Sequence, residues 1–221
     1  MTTTGRIEIG TSGWHYAHWR GVFYPGRLDG AGMLAHYARL FRTVEINRTF
    51  YSLPAAEVLQ GWREATPPDF GFAVKASRYI THLKKLTDCG EAMRNLLAAA
   101  ENLRPKLGPL LFQLPPRWQR DTRRLAEFLP LLPPDQACAF EFRDPAWFHP
   151  EVYEESIARG VLPRAMSAWQ KRDSTPASRA CRGPGFCQAS QIASFFKLAI
   201  WRATLGPHRP LPAVIMFHSP F

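Results

Sequence analysis

Short apolar stretches alternate with amphipathic ones five times in succession before residue 160, and this alternation constrains the fold more than any other feature of the chain. The strand-like stretches are residues 7–12, 43–47, 70–77, 109–114 and 137–143. Between them, apolar residues recur at helical spacing. Leu34, Tyr37, Ala38 and Phe41 make one stripe, and Ala55, Val58, Leu59 and Trp62 the next. Met93, Leu96, Leu97 and Ala100 make a third, and Leu125, Phe128, Leu129 and Leu132 a fourth. A shorter fifth helix is expected to carry Tyr153 and Ile157. Pro67-Pro68-Asp69, Gly108-Pro109 and Pro133-Pro134-Asp135 mark turns. Strand–helix units repeated in this way predict an α/β fold with a parallel sheet.

The strands also indicate which parallel sheet. Glu45 and Asn47 alternate with Val44 and Ile46, and Ala73, Lys75 and Ser77 with Phe72, Val74 and Ala76. Leu111 and Gln113 stand against Leu110 and Phe112, and Glu141 and Arg143 against Phe140 and Phe142. A doubly wound sheet, covered on both faces, reads as continuously apolar. One face turning polar toward each strand's C-terminal end is the pattern of a (β/α)8 barrel of the TIM type, whose inward residues reach the active-site mouth. The expectation is therefore a TIM-type barrel with about five units present. Eight units of this size would need roughly 255 residues, and only 61 of the 221 follow Gly160.

Those last 61 residues differ in composition. Residues 1–160 carry a net charge of +3, whereas residues 161–221 hold eight basic residues and one acid, Asp173, for a net of +7. Val161-Leu162 begins like a sixth strand, but Pro163 removes a ladder donor. Residues 164–188 are rich in Ser, Arg, Pro, Gly and Ala; 192–205 is apolar enough for a helix, and 213–217 resembles a strand. The expected organisation is a partial barrel domain, 1–160, and a divergent basic tail, 161–221. An acid-poor run of this composition, starting at one point, is what translation of GC-rich DNA in a wrong frame yields. A frameshifted, misjoined or disordered tail is accordingly expected, leaving the last three units missing or replaced and the chain a truncated, inactive form.

No apolar run reaches the roughly 18 residues of a membrane span, and MTTTGRIEIG lacks a basic region followed by an apolar one. Cys89, Cys138, Cys181 and Cys187 are too few and too dispersed for a disulfide scaffold. A cytoplasmic protein without membrane association is expected.

Five ordered motifs resemble one family. Gly10-Thr11-Ser12-Gly13-Trp14-His15-Tyr16 and Trp19-Arg20-Gly21-Val22-Phe23-Tyr24-Pro25 open it. Val44-Glu45-Ile46-Asn47 with Thr49-Phe50-Tyr51 follows, then the run from Phe72 to His82 and Leu110-Leu111-Phe112-Gln113-Leu114-Pro115-Pro116. Ala139-Phe140-Glu141-Phe142-Arg143 with Pro145, Trp147 and Phe148 completes the set. Together they are similar to the YecE-like proteins, the domain of unknown function 72, over residues 5–160. Arg48 stands where Asn or Ser is commoner in the family. The resemblance implies a TIM barrel but no reaction.

The polar residues at the strand ends are the candidates for chemistry, because a barrel brings neighbouring strand ends to one mouth. Glu45 and Glu141 suit general acid–base work or structural ion pairs with Lys75 and Arg143. Lys75, at the end of an apolar strand, suits Schiff-base chemistry, anion binding or pairing with Glu45. Arg143 suits a bidentate clamp on an anion or a salt bridge to Glu141 or Asp144, and His82 a proton shuttle or a capping or surface position. Ser12, Asn47, Ser77 and Gln113 complete the polar ring. Trp14, Tyr16, Trp19, Tyr51, Tyr79 and Trp147 suit stacking on a sugar or base, or the core. The expected catalytic residues are thus Glu45, Lys75 and Glu141, with Ser12, Trp14, Asn47, Tyr51, His82, Gln113 and Arg143 binding substrate. No strand ends in His or Asp, so no metal site is expected, and there is no P-loop or nucleophile elbow, so no cofactor is. The reading is an enzyme of the hydrolase, lyase or isomerase kind, using acid–base or lysine chemistry on a small anionic or sugar-like molecule. The alternative is a nucleic-acid binder using the basic tail.

Overall fold

A computed structural model describes residues 7–152 and 154, together with the strand backbones 197–200 and 213–218. Five strands, β1 (Ile7–Ser12), β2 (Thr43–Ile46), β3 (Gly71–Lys75), β4 (Leu107–Gln113) and β5 (Cys138–Glu141), pair in parallel and in sequence order. Each agrees with its expected stretch to within three residues at either end. The helices are α1 (Gly30–Ala38), α2 (Arg48–Tyr51), α3 (Ala56–Glu64), α4 (Gly90–Glu101) and α5 (Thr122–Phe128). Asp29 caps α1 by accepting from the Gly32 amide at 2.7 Å, and Asp121 caps α5 by accepting from Arg124 at 3.1 Å. A further helix starts at residue 150; Tyr153 and Ile157 lie outside the described residues.

The alternation along the strands sorts their faces. Val44, Ile46, Phe72, Val74, Leu110, Phe112 and Phe140 pack with the helix stripes, among them Leu34, Leu59, Leu96 and Leu125, in one continuous core. On the opposite face Ala73, Leu111 and Ala139 form a separate small cluster. Tyr37 ties α1 to the sheet: its hydroxyl accepts from the Thr11 amide at 2.8 Å and donates to the Thr43 carbonyl at 3.0 Å. Beside this contact β1 and β2 approach closely, and a Cβ on Gly10 would lie 2.2 Å from the Thr43 carbonyl oxygen. Between β3 and β4 the register slips: Phe72 pairs with Leu107 but Val74 with Leu110, so the one residue Ala73 faces two, Gly108 and Pro109. The extra residue is accommodated at Gly108-Pro109, where a Cβ on Gly108 would meet the Phe72 carbonyl at 2.9 Å.

The expected barrel closure is not observed. β7 (Ala213–His218) pairs in parallel with β1, and β6 (Lys197–Ile200) pairs antiparallel with β7, giving the order β5-β4-β3-β2-β1-β7-β6. No ladder joins β5 to β6 among the described strands, so the sheet is open. The expected strand at 213–217 is present. The helix expected over 192–205 is corrected: residues 197–200 are extended because their backbone groups pair with β7, from Lys197 opposite His218 to Ile200 opposite Ile215. The remainder of the basic tail, including 161–196, lies outside the described residues, as does any test of a frameshift.

Candidate functional site

The parallel register places the polar strand ends at one end of the sheet, on the face opposite the helix-packed core. Ser12 stands opposite Glu45, and Gln113 opposite Glu141. The alanine and leucine floor beneath them is buried, and so are Ser12, Glu45, Lys75, Gln113 and Glu141. Polar groups in such a place need partners, and they find them in two networks.

The first joins β1, β2 and β3. Ser12 Oγ donates to Glu45 Oε1 at 3.0 Å, and Lys75 Nζ lies 3.3 Å from the same oxygen. Asn47 Nδ2 donates to Ser12 Oγ at 2.6 Å and to the Ser12 carbonyl at 3.0 Å, while its Oδ1 accepts from Lys75 Nζ at 3.3 Å. Phe50 places its ring 5.4 Å from the ammonium. Thr49 donates to the Lys75 carbonyl at 2.7 Å and fixes the end of β3. Tyr16 closes one side by donating to the Ser12 carbonyl. Burial, and then the charge of Glu45, push its phenol up to about 12, with the Asn47 hydrogen bond opposing them, so it is neutral and a donor.

The second network joins β4 and β5. Gln113 Nε2 donates to Glu141 Oε2 at 2.7 Å, and Arg143 Nε donates to Glu141 Oε1 at 2.9 Å. Both carboxylate oxygens are thus engaged, while the Arg143 side chain remains 45% exposed.

His82 lies between the two. It belongs to a turn of π-helix, Tyr79–Leu83, that follows β3. Its Nδ1 is 2.9 Å from Thr81 Oγ1, and its ring meets Phe50 edge-on at 5.0 Å. Partial burial lowers its pKa, and the charges of Arg143, Lys75 and Arg78 lower it further against the opposing pull of Glu141. The imidazole is therefore neutral at pH 7. The chain beyond the π-turn has left-handed backbone at Lys85, Leu86 and Asp88, uncommon for side chains of these types.

Of the sequence candidates, the structure brings Ser12, Glu45, Asn47 and Lys75 into one network and Gln113, Glu141 and Arg143 into another, with His82 beside both. Tyr51 and Tyr79 are exposed just after β2 and β3. Trp14 is not part of either network: it is buried, meets Trp62 edge-on at 5.0 Å, and its carbonyl accepts from Tyr24. Trp19 and Trp147 are core residues as well. The sequence reading gave no role to Thr49, Phe50 or Arg78, although each follows a strand end closely, which was the available signal. Among the described residues no group of three His, Cys, Asp or Glu is arranged to hold a metal ion, and no helix is long and apolar enough to cross a membrane.

Known proteins resemble this chain over most of its length. A family model described as "Protein of unknown function DUF72" matches residues 8–184, beyond the composition break at Gly160. The UPF0759 protein YecE of Escherichia coli is 33% identical over 162 residues, 73% of this chain and 57% of that protein. The UPF0759 protein YunF of Bacillus subtilis is 29% identical over 69% of this chain and 56% of its own length. The chain thus spans little more than half the length of these curated relatives. A DUF72 family crystal structure from Thermotoga maritima is 32% identical with a TM-score of 0.62, covering 72% of this chain and 64% of that one. Another from Enterococcus faecalis, 19% identical over 71% of this chain and 59% of that one, shares the fold at a TM-score of 0.58. Nothing in these matches supports a nucleic-acid role for the basic C-terminal stretch. The family model and the relatives agree, and the chain belongs to the DUF72 family, also grouped as UPF0759.

Proposed function

We propose that the strand-end networks are the active site of an enzyme that moves protons on a small anionic or sugar-like substrate, with Glu45 and Lys75 as the acid–base pair. One observation carries this reading: Lys75 Nζ lies 3.3 Å from Glu45 Oε1, and the two side chains are 8% and 0% exposed. In such surroundings a proton moving onto the carboxylate or off the ammonium changes the local charge balance sharply, which is the basis of acid–base catalysis by buried pairs. Lys75 sits against a carboxylate and an amide oxygen, a setting that suits proton transfer within the pair better than nucleophilic attack on a carbonyl. Ser12 and Asn47 orient the pair. Tyr51 and Tyr79 offer exposed rings on which a sugar can stack. Hydrolases, lyases and isomerases all use such a pair. The complete activity is proposed for the full-length family proteins, of which this chain spans a part.

The test is a turnover screen over small sugar acids and sugar phosphates, using this chain and the E. coli relative in parallel. Glu45→Gln and Lys75→Arg, with corresponding changes in the relative, are expected to lower kcat by about 100-fold or more while melting remains cooperative. Turnover unaffected by both substitutions would refute the reading.

A further inference from the structure

Arg143 is held by one edge only. Its Nε is engaged by Glu141 Oε1 at 2.9 Å, and Glu141 is in turn fixed through its other oxygen by Gln113 at 2.7 Å. The two terminal nitrogens of the guanidinium make no described contact, and the side chain is 45% exposed. Two residues from neighbouring strands, Gln113 and Glu141, therefore aim a guanidinium fork without occupying its bidentate face. Across from it, His82 feels Arg143, Lys75 and Arg78 as cations and Glu141 as the opposing carboxylate. Lys75 is compensated by Glu45 and Arg143 by Glu141, but Arg78 is exposed and has no acidic partner among the described residues. On its remaining sides His82 meets neutral groups, the Phe50 ring and the Thr81 hydroxyl. The mouth thus carries surplus positive charge around a neutral imidazole.

We propose that Arg143, Arg78 and His82 bind the phosphate group of a phosphomonoester substrate, and that Gln113 and Glu141 act as positioning residues for Arg143. This rests on the reading of the strand ends as an active site and names the substrate class. A carboxylate is satisfied by the Arg143 fork alone. A phosphate monoester brings three acceptor oxygens and nearly two charges at neutral pH, and these match a fork, a second guanidinium and a ring nitrogen. Burial, and then the cations around it, hold the His82 pKa down; a dianion in the site offsets the cationic part, so phosphate binding shifts it upward. The Phe50 ring, which meets both the His82 ring and the Lys75 ammonium, puts the imidazole beside the Glu45–Lys75 pair, so substrate binding favours its action as a proton donor there.

The experiment uses the full chain, inorganic phosphate as probe, and acetate at matched ionic strength as comparison. Calorimetry is expected to show saturable phosphate binding at least about tenfold tighter than acetate. Arg143→Lys keeps the charge but loses the fork and is expected to weaken phosphate about tenfold. Glu141→Gln should produce part of that loss with a cooperative melt retained. By NMR, with the His82→Gln protein used to assign the resonance, the His82 ring should titrate below the usual histidine range and move upward when phosphate is added. Equal binding of acetate, no effect of Arg143→Lys, or a His82 midpoint indifferent to phosphate would each overturn the proposal. Its failure is separable from that of the acid–base reading: turnover of an uncharged sugar that depends on Glu45, without phosphate binding, removes the phosphate assignment and leaves the catalytic pair.

Discussion

Lys75 Nζ sits 3.3 Å from Glu45 Oε1 across two adjacent parallel strands, and both side chains are removed from water. An ion pair in this position gains little net stability over a well-packed apolar pair, but removing one member strands the other. Lys75→Met is accordingly expected to destabilise the fold by about 3–5 kcal/mol. The double variant Glu45→Gln, Lys75→Met should cost clearly less than the two single changes added together. Urea denaturation of all four proteins gives the coupling directly.

The pH dependence of stability has a definite sign at His82. Its folded pKa lies below the ordinary histidine value of 6.5 because of burial and then the charges of Arg143, Lys75 and Arg78. Between the folded and unfolded pKa values the unfolded chain binds more protons, so stability rises with pH through that window. The full contribution is present above about 6.5 and is lost as pH falls through the folded value. His82→Gln should flatten this part of the stability profile. Thermal melts from pH 4.5 to 8 would show it.

Tyr37 is fully buried, and its hydroxyl serves both the Thr11 amide and the Thr43 carbonyl. Burial pushes its phenol well above the ordinary tyrosine value, so it is neutral. Tyr37→Phe leaves two buried backbone groups with one partner fewer, at an expected cost of about 1–3 kcal/mol. Amide exchange at Thr11 should accelerate with the loss.

Gly10 is required by proximity. A methyl group there would lie 2.2 Å from the Thr43 carbonyl oxygen, a backbone atom that cannot rotate away. Gly10→Ala should force β1 and β2 apart and cost about 1–3 kcal/mol or more, read as a fall in Tm.

The strands and helix stripes were legible because side-chain alternation and helical spacing are local properties. Val44 and Ile46 against Glu45, or Leu110 and Phe112 against Leu111 and Gln113, declare their faces without knowledge of any other strand. The grouping of Ser12, Glu45, Asn47 and Lys75 followed from the same parity. Closure was not legible, because it depends on which late segment lies beside which early one. Residues 197–200 show why: their apolar content suits a helix stripe, and only pairing with β7 makes them extended. Trp14 and Arg78 mark the opposite kinds of difficulty. Trp14 sits in a motif with strand-end polar residues yet turns into the aromatic core, where Trp62 receives it. Arg78 drew no attention in the sequence because its importance lies in its nearness to His82, which only the fold brings out.

The slip between Phe72 and Val74 on β3 and Leu107 and Leu110 on β4 sets the parity of everything downstream on β4. Leu107 and Leu110 both pack toward the helix-facing core although they are three steps apart, which a regular strand does not allow. Were β4 to pair with β3 from Leu107 onward without the slip, every later residue would change faces: Phe112 would point among the charges at the strand ends, and Gln113 in among the helix-facing phenylalanines. Glu141 would lose the amide that holds it, and Arg143 its aim. The one extra residue at Gly108-Pro109, near the start of the strand, is therefore as much a part of the candidate chemistry as the side chains at its end.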